Sequence, residues 1–380
     1  MKILHVITTL SAGGAERALF NLLQGGLAQK ADNAVISLRD IGAFGRRIRD
    51  LLVPVYTLDL HTVGGKATSL VRLANLGRQF KPDVIHGWMY HSCAAAFFVK
   101  SVLPTDAKLV WAIRQSLYDT GTEKSMTRQV VRLCRALSKR ADRITYNSKL
   151  SLQQHSDFGF SEQCAEVIPN GIDTDAFQFN EVSRRKFREE HGIASNGFVI
   201  GNVSRHHPMK DHETFVRAAD ELVRTLPNVH VVLCGAGIPA FGEMRAHGMS
   251  AAVRKKILFL DEVEDVAALM SGFDVFCQSS WSESFPNVLG EAMSVGVPCI
   301  ATDVGDSARI LGDTGLLISP RSADEIVKAV STIRSIGSSG YSAMSENART
   351  RITSNFALST FCDRYETLYR QISNLRQEDV

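Results

Sequence analysis

Glu283-Ser-Phe-Pro-Asn-Val-Leu-Gly-Glu291 sets two carboxylates in one short segment, with seven residues between them. Pro286 suits the first turn of a helix, where its missing N–H costs nothing. Val288, Leu289, Ala292, Met293 and Val295 then repeat at helical spacing until Gly296 and Pro298 stop the run. The pattern predicts Glu283 in a loop and Glu291 inside a helix. Unpaired N–H groups of that helix's first turn, from Phe285 to Leu289, would favour an anion in the space Glu283 borders. Two acids beside a phosphate-binding helix end suit a sugar nucleotide, whose phosphates meet N–H groups while the carboxylates grip hydroxyls. Acids near helix starts are common for local reasons, so spacing alone leaves a solvated pair equally open.

The flanks decide between these readings. Asp274-Val-Phe-Cys-Gln-Ser-Ser280 reads as a buried strand with a polar end, and Pro298-Cys-Ile-Ala-Thr-Asp-Val-Gly305 as another strand running into turn residues. Open parallel sheets take their ligands outside the carboxyl ends of strands, where both polar ends fall. With these flanks, Ser282-Glu-Ser-Phe-Pro-Asn-Val-Leu-Gly-Glu-Ala-Met293 resembles the retaining GT-B glycosyltransferases of family 4, and the likeness extends over nearly the whole chain. It implies an α/β fold of two Rossmann-like, doubly wound parallel-sheet domains facing across a cleft, with a C-terminal helix returning to the N-terminal domain.

A chain of 380 residues with 44% apolar content accommodates two such domains, each with its own core. Short β-branched runs alternate with amphipathic stretches. Strands are expected near 2–8, 33–38, 53–59, 83–87, 108–113 and 143–148, and again near 197–204, 229–236, 257–261, 274–279, 298–302 and 315–318. The Pro-Asn-Gly turn at 169–171 and the charged helix near 181–191 place the boundary between about 170 and 195. The expected domains are therefore 1–180, binding the acceptor, 181–355, binding the nucleotide sugar, and 356–380 as the returning helix; the stretch from about 340 to 377 reads as two helices. Seven cysteines without a Cys-x-x-Cys pair read as free thiols in a reducing compartment. Met1–Ile7 is too short an apolar run for a signal peptide, and no segment approaches the roughly 18 apolar residues of a membrane span. The expected location is cytoplasmic, or peripheral on the cytoplasmic face of a membrane.

Charge is uneven. Residues 1–150 hold 22 basic and 10 acidic side chains, and the remainder 21 and 30. Arg128, Arg132, Arg135 and Lys139 recur on one face of a helix over 126–141, opposite Val130, Leu133, Cys134, Leu137 and Ala141. Such a helix either lies on an anionic membrane or faces the core with a solvated basic side. Arg46, Arg47 and Arg49 strengthen the same field. No nucleic-acid recognition motif accompanies it, which argues against that partner.

Other segments fall at strand ends. Thr8-Thr-Leu-Ser-Ala-Gly-Gly-Ala-Glu-Arg17 joins the first strand to the first helix, and Gly13-Gly14 permits close backbone approach to a ligand; the resemblance has it face the donor phosphates. Asn202-Val-Ser-Arg-His-His-Pro-Met-Lys-Asp211 carries Arg205 and Lys210, a fork and a point charge suited to a diphosphate. Family 4 enzymes bind the leaving nucleotide diphosphate with an Arg and a Lys at this spacing, so the resemblance assigns these two that role. His206 and His207 read as loop residues. Cys234-Gly-Ala-Gly237 lacks the third glycine of a dinucleotide fingerprint and reads as a turn. Phe259-Leu260-Asp261 resembles the strand end that lines the base, although the family usually has Gly where Asp261 stands. The resemblance places His91, after the strand at 83–87 that carries His86, beside the transferred sugar or acceptor, and Arg114 is a candidate for an acceptor phosphate. Asp173-Thr-Asp175 has the form of a metal-binding Asp-x-Asp but follows a turn instead of the strand such a site needs. No metal or other cofactor is expected.

The combined expectation is transfer of a sugar from a nucleotide diphosphate, UDP by family frequency, to a hydroxyl of a glycan or lipid-linked saccharide, with retained configuration, in cell-surface polysaccharide or lipopolysaccharide synthesis. Glu291 would hold ribose hydroxyls and Glu283 the sugar, with Ser284, Phe285, Pro286, Asn287, Val288 and Leu289 lining the donor. A nucleotide-sugar epimerase of the same architecture, a tandem-Rossmann oxidoreductase and a non-catalytic nucleotide-sugar-binding protein remain as alternatives; the oxidoreductase lacks its glycine fingerprint.

Overall fold

The computed structural model describes residues 1–11, 13–60, 66–117 and 125–374. Ala12 and the expected helical residues 375–377 lie outside them. The chain forms two compact units: residues 1–171 together with 358–380, and residues 172–357. The chain passes from one unit to the other at Gly171–Ile172, the end of the Pro-Asn-Gly turn, and returns at Ala357–Leu358, against expected boundaries at 180–181 and 355–356.

The first unit is built on a parallel sheet of β1 (Lys2–Ile7), β2 (Asp32–Ser37), β3 (Val55–Thr57), β4 (Val84–Trp88), β5 (Lys108–Ile113), β6 (Arg143–Tyr146) and β7 (Ala165–Val167). Their spatial order is β3-β2-β1-β4-β5-β6-β7, so the winding reverses between β1 and β4. Both faces are apolar. Along β1, Ile3 and Ile7 pack on one side with Leu19, Leu22, Tyr365 and Tyr369, while Leu4 and Val6 pack on the other with Ile85, Cys93 and Trp111. Helices on both faces explain why the strands read as continuous hydrophobic runs. The helix Leu358–Asn374 covers the first of these faces. It fits closely there, because a Cβ on Gly25 would collide with Cys362 Sγ.

Beneath that helix lies a polar cluster. The His5 ring bonds Asn33 Oδ1 (3.2 Å) through Nε2 and accepts the Trp88 indole N–H (3.3 Å) at Nδ1, while His86 Nδ1 meets the Tyr369 hydroxyl at 2.7 Å. Both histidines are fully buried.

The second unit repeats the plan with β8 (Phe198–Val203), β9 (Val229–Cys234), β10 (Ile257–Leu260), β11 (Val275–Gln278), β12 (Cys299–Thr302) and β13 (Leu316–Ile318), in the order β10-β9-β8-β11-β12-β13. Its reversal falls between β8 and β11. At the amino ends of these two strands, Asp274 accepts from Arg184 and Arg188 (2.6 Å each) and from the Val199 N–H (2.7 Å). This closed network fixes the end of the sheet opposite the carboxyl ends that bear the motifs.

Every expected strand is present, and β7 is an addition. Its Ala-Glu-Val holds no apolar run, and Glu166 at its centre is exposed on the sheet's edge. The helix Ser125–Leu137 buries Val131 and Cys134, but Leu133 is 47% exposed and Met126 62%. Leu133 thus stands on the solvent side instead of in the expected apolar stripe, because Val131 and Cys134, three residues apart, centre the buried face. All seven cysteines are unpaired.

Candidate functional site

The switch point of the second unit gathers four loops. The first leaves β8 and ends in a single turn, Pro208–Lys210, capped by His207, whose Nδ1 accepts the Met209 N–H at 3.2 Å. Asp211, at φ +50°, closes the turn and caps the following helix by accepting the Thr214 N–H. The second loop leaves β11 and carries Glu283. The Lys210 ammonium lies 2.5 Å from Glu283 Oε1, with the side chains 21% and 12% exposed. Ser280 Oγ donates to the same carboxylate oxygen at 2.7 Å. Lys210 and Glu283, 73 residues apart in sequence, thus form one charged pair at the carboxyl ends of adjacent strands.

Arg205 is exposed on the same loop. His207 responds to both cations: partial burial first, then Arg205 and Lys210, lower its pKa below the ordinary value. The loop therefore presents a positive field from two side chains. His212 is held differently. Its Nε2 pairs with Ser204 Oγ at 2.9 Å, and burial, followed by the nearby His206 and Lys210, lowers its pKa to about 4.

Four residues beyond Glu283 begins the helix Asn287–Val295, with Pro286 at its cap position, one residue ahead of the expected first turn. The Leu289 N–H, expected to face a ligand, bonds the Pro286 carbonyl at 3.2 Å. Glu291 is buried on this helix, whose remaining surface is also largely inside. Gly296, at φ +85°, ends it in the left-handed conformation that favours glycine.

Two further loops brace the site. Gly235 follows β9 at φ +148°, and a Cβ there would strike the Ser204 carbonyl, so this glycine lets the β9 loop touch the loop of Arg205. Gly305 follows β12 at φ +60°, and its Cβ would come within 2.6 Å of the Glu283 and Ser284 carbonyls. The Asp306 N–H bonds Ser284 O at 2.9 Å, and Thr302 Oγ1 donates to Ser280 O at 2.5 Å. Leu260, the last residue of β10, is half-buried and accepts the Gly235 N–H at 3.1 Å.

The first unit has its own switch point. Thr8 Oγ1 and Ser92 Oγ, 2.9 Å apart, tie the end of β1 to the helix Tyr90–Val102 that follows β4. Met89 enters that helix at φ +70° and ψ 163°, a backbone region costly for any residue with a side chain. His91 occupies the helix's first turn, half-buried. Gly13 and Gly14 are exposed at the start of the helix Gly14–Leu22.

Arg114, the candidate for an acceptor phosphate, follows β5. It is buried, with Nε and Nη2 donating to Asn170 Oδ1 and Nη1 to the Tyr365 hydroxyl at 3.0 Å. Its guanidinium therefore ties the end of β5 to the returning helix from within. Asp173 accepts the N–H groups of Asp175 and Ala176, which makes it the organiser of a turn. Among the described residues, no cluster of three or more His, Cys, Asp or Glu has the geometry of a metal site, and no helix is long and apolar enough to cross a membrane. The sequence marks Ser280 only as the polar end of a strand and Gly305 only as a turn residue, and Trp281 carries no local signal.

The Glycosyltransferase Family 4 model matches residues 12–176, and the Glycosyl transferases group 1 model matches residues 197–335. The chain belongs to glycosyltransferase family 4. Its similarity to other glycosyltransferases is spread over both units. It is 23% identical over 306 residues to the N-acetyl-alpha-D-glucosaminyl L-malate synthase of Bacillus anthracis, 79% of this chain and 78% of that protein. To the UDP-Gal:alpha-D-GlcNAc-diphosphoundecaprenol alpha-1,3-galactosyltransferase of Escherichia coli it is 27% identical over 208 residues, 53% of each. EpsF of Bacillus subtilis (strain 168), a candidate glycosyltransferase, is 35% identical over 137 residues; the match spans 36% of this chain and 35% of EpsF. The crystal structure of Anabaena HepE in complex with UDP has the same GT-B fold, with a TM-score of 0.82 at 22% identity over 97% of this chain and 99% of that one.

Proposed function

We propose that this family 4 protein transfers a sugar from a nucleotide diphosphate, UDP in this reading, to a hydroxyl of a glycan or lipid-linked saccharide, with retained configuration. Its place would be cell-surface polysaccharide or lipopolysaccharide synthesis. The Lys210–Glu283 pair at the β8–β11 switch point, with Arg205 on the same loop, carries the proposal. The bond from the sugar's anomeric carbon to the phosphate oxygen breaks, and the acceptor oxygen bonds that carbon. The acceptor proton passes to the departing phosphate oxygen. Arg205 and Lys210 neutralise the charge that develops on the diphosphate, a stabilisation that needs no metal. Glu283 grips the sugar hydroxyls and Glu291 the ribose. Leu260, the segment Ser284 to Leu289, and Gly13 and Gly14 contribute to the donor site, and His91 attends the transferred sugar or the acceptor. Support for UDP comes from HepE, solved with UDP and with UDP-glucose, and from the UDP-Gal named in the E. coli relative.

Incubation with UDP-, GDP- and ADP-sugars in the absence of acceptor tests this reading. Slow release of UDP from one UDP-sugar is the expected result. Conversion of donor to an epimer would replace transfer by epimerisation, and inertness toward every donor would remove the reading.

The reading extends to a membrane surface. On the helix Ser125–Leu137 and the turn after it, the exposed Met126 and Leu133 stand among the exposed Arg132, Lys139 and Arg140. Apolar side chains within a basic face suit an anionic bilayer. Sedimentation with phosphatidylglycerol vesicles but not with phosphatidylcholine vesicles is expected, and equal recovery with both would exclude it.

A further inference from the structure

A three-residue turn is a weak support for a functional cation, because so short a 3-10 segment has little cooperativity of its own. The Pro208–Lys210 turn is instead held from outside at every carbonyl. Ser279 Oγ donates to Lys210 O at 2.9 Å, the Trp281 backbone N–H to Met209 O at 2.9 Å, and the Trp281 indole N–H to Pro208 O at 2.9 Å. All three donors come from the loop that also carries Glu283. Trp281 is fixed in turn, since the Arg321 guanidinium lies 5.3 Å from its ring centroid. Arg321 reaches this place from a backbone at φ +64°.

We propose that Trp281 is the positioning residue for Lys210, setting the turn so that the ammonium stands ready for the diphosphate of the donor. The proposal rests on the donor-site reading given above. Trp281 needs no contact with the ligand; it acts through two carbonyls of the turn. The ring also joins the loops after β8, β11 and β13, so a shift of any one of them is passed to Lys210.

A double-mutant cycle on UDP binding, read by titration calorimetry, tests the coupling. Trp281→Phe keeps an aromatic ring for Arg321 and removes the pyrrole part of the indole together with its N–H. It is expected to weaken UDP binding about fivefold, the size of one ordinary hydrogen bond. In a Lys210→Met background the same change is expected to have no further effect, because its route to the ligand is gone. Arg321→Gln, which leaves both hydrogen bonds intact, serves as a second probe and should show a smaller loss that also disappears without Lys210. Equal losses in both backgrounds, or none in either, would overturn the role of Trp281 while leaving the donor site standing. A wild-type protein that binds no UDP, GDP or ADP would overturn both.

Discussion

Lys210→Met and Glu283→Gln are each expected to reduce sugar transfer by about two to three orders of magnitude, the usual effect of removing one preorganised charge from a water-poor site. The magnitude follows from their geometry. The two side chains share a 2.5 Å contact, Ser280 orders the carboxylate further, and neither side chain is more than about a fifth exposed. Lys210→Met keeps most of the aliphatic stem and removes the charge, so Glu283 loses the ammonium that orients it. Glu283→Gln keeps the shape but replaces an acceptor with a partial donor beside Lys210. Because each substitution disables the other residue, the double variant is expected to be no slower than the worse single one. Rates with the donor identified in the sugar-nucleotide panel measure this. Full transfer by either single variant would remove the pair from the reaction, and multiplied losses would show two independent roles.

Acid is expected to weaken the first unit more steeply than the second. Burial lowers the pKa of His5 and of His155 to about 4, and that of His86 falls well below its ordinary value. In the second unit only His212 is lowered as far, to about 4. At His5 burial is the larger influence, the Asn33 bond partly opposes it, and the bonds show which neutral form the site holds. Asn33 Oδ1 can only accept and the Trp88 indole can only donate, so the site fits one neutral tautomer, and a second ring proton would confront the indole N–H. Between about pH 6.5 and pH 4 the unfolded chain takes up protons that the folded chain refuses. The contribution is therefore complete above about pH 6.5 and is lost as pH falls toward 4, at about 1.4 kcal/mol per pH unit for each such group. With His5 and His155 alone, the first unit should lose on the order of 4 kcal/mol between pH 6.5 and pH 5. Tryptophan emission separates the units, since Trp88 and Trp111 are fully buried in the first and Trp281 is half-buried in the second. Denaturant melts followed by this emission should shift to lower midpoints at pH 5. Superimposable melts at the two pH values would refute the argument.

The parts of this molecule that were legible in the sequence are those whose signal is local. β-branched or apolar runs marked twelve strands, most of them buried on both faces, whereas β7 escaped because a three-residue edge strand with Glu166 outward has no such run. Polar segments at strand ends pointed to Arg205, Lys210 and Glu283 because the topology places those ends together. The braces were less visible. Trp281 acts on the carbonyls of Pro208 and Met209, and a carbonyl is the same in every residue, so nothing at 208 or 209 advertises the partner. Gly305 is required by the close approach of Glu283 and Ser284, which only the folded chain reveals. The bonds of Arg114 were hidden for the converse reason: a cation after a strand looks exposed until the helix that covers it, more than 240 residues later, is in place.

That helix also sets an order of events at the ribosome. The second unit is one unbroken length of chain, while the sheet of the first unit waits for Phe361, Tyr365 and Tyr369 to seal one of its faces. Translation delivers residues 172–357 before it delivers the seal. The part of the protein made first is therefore the part finished last, and until then its histidine-lined face is a surface for chaperones to cover.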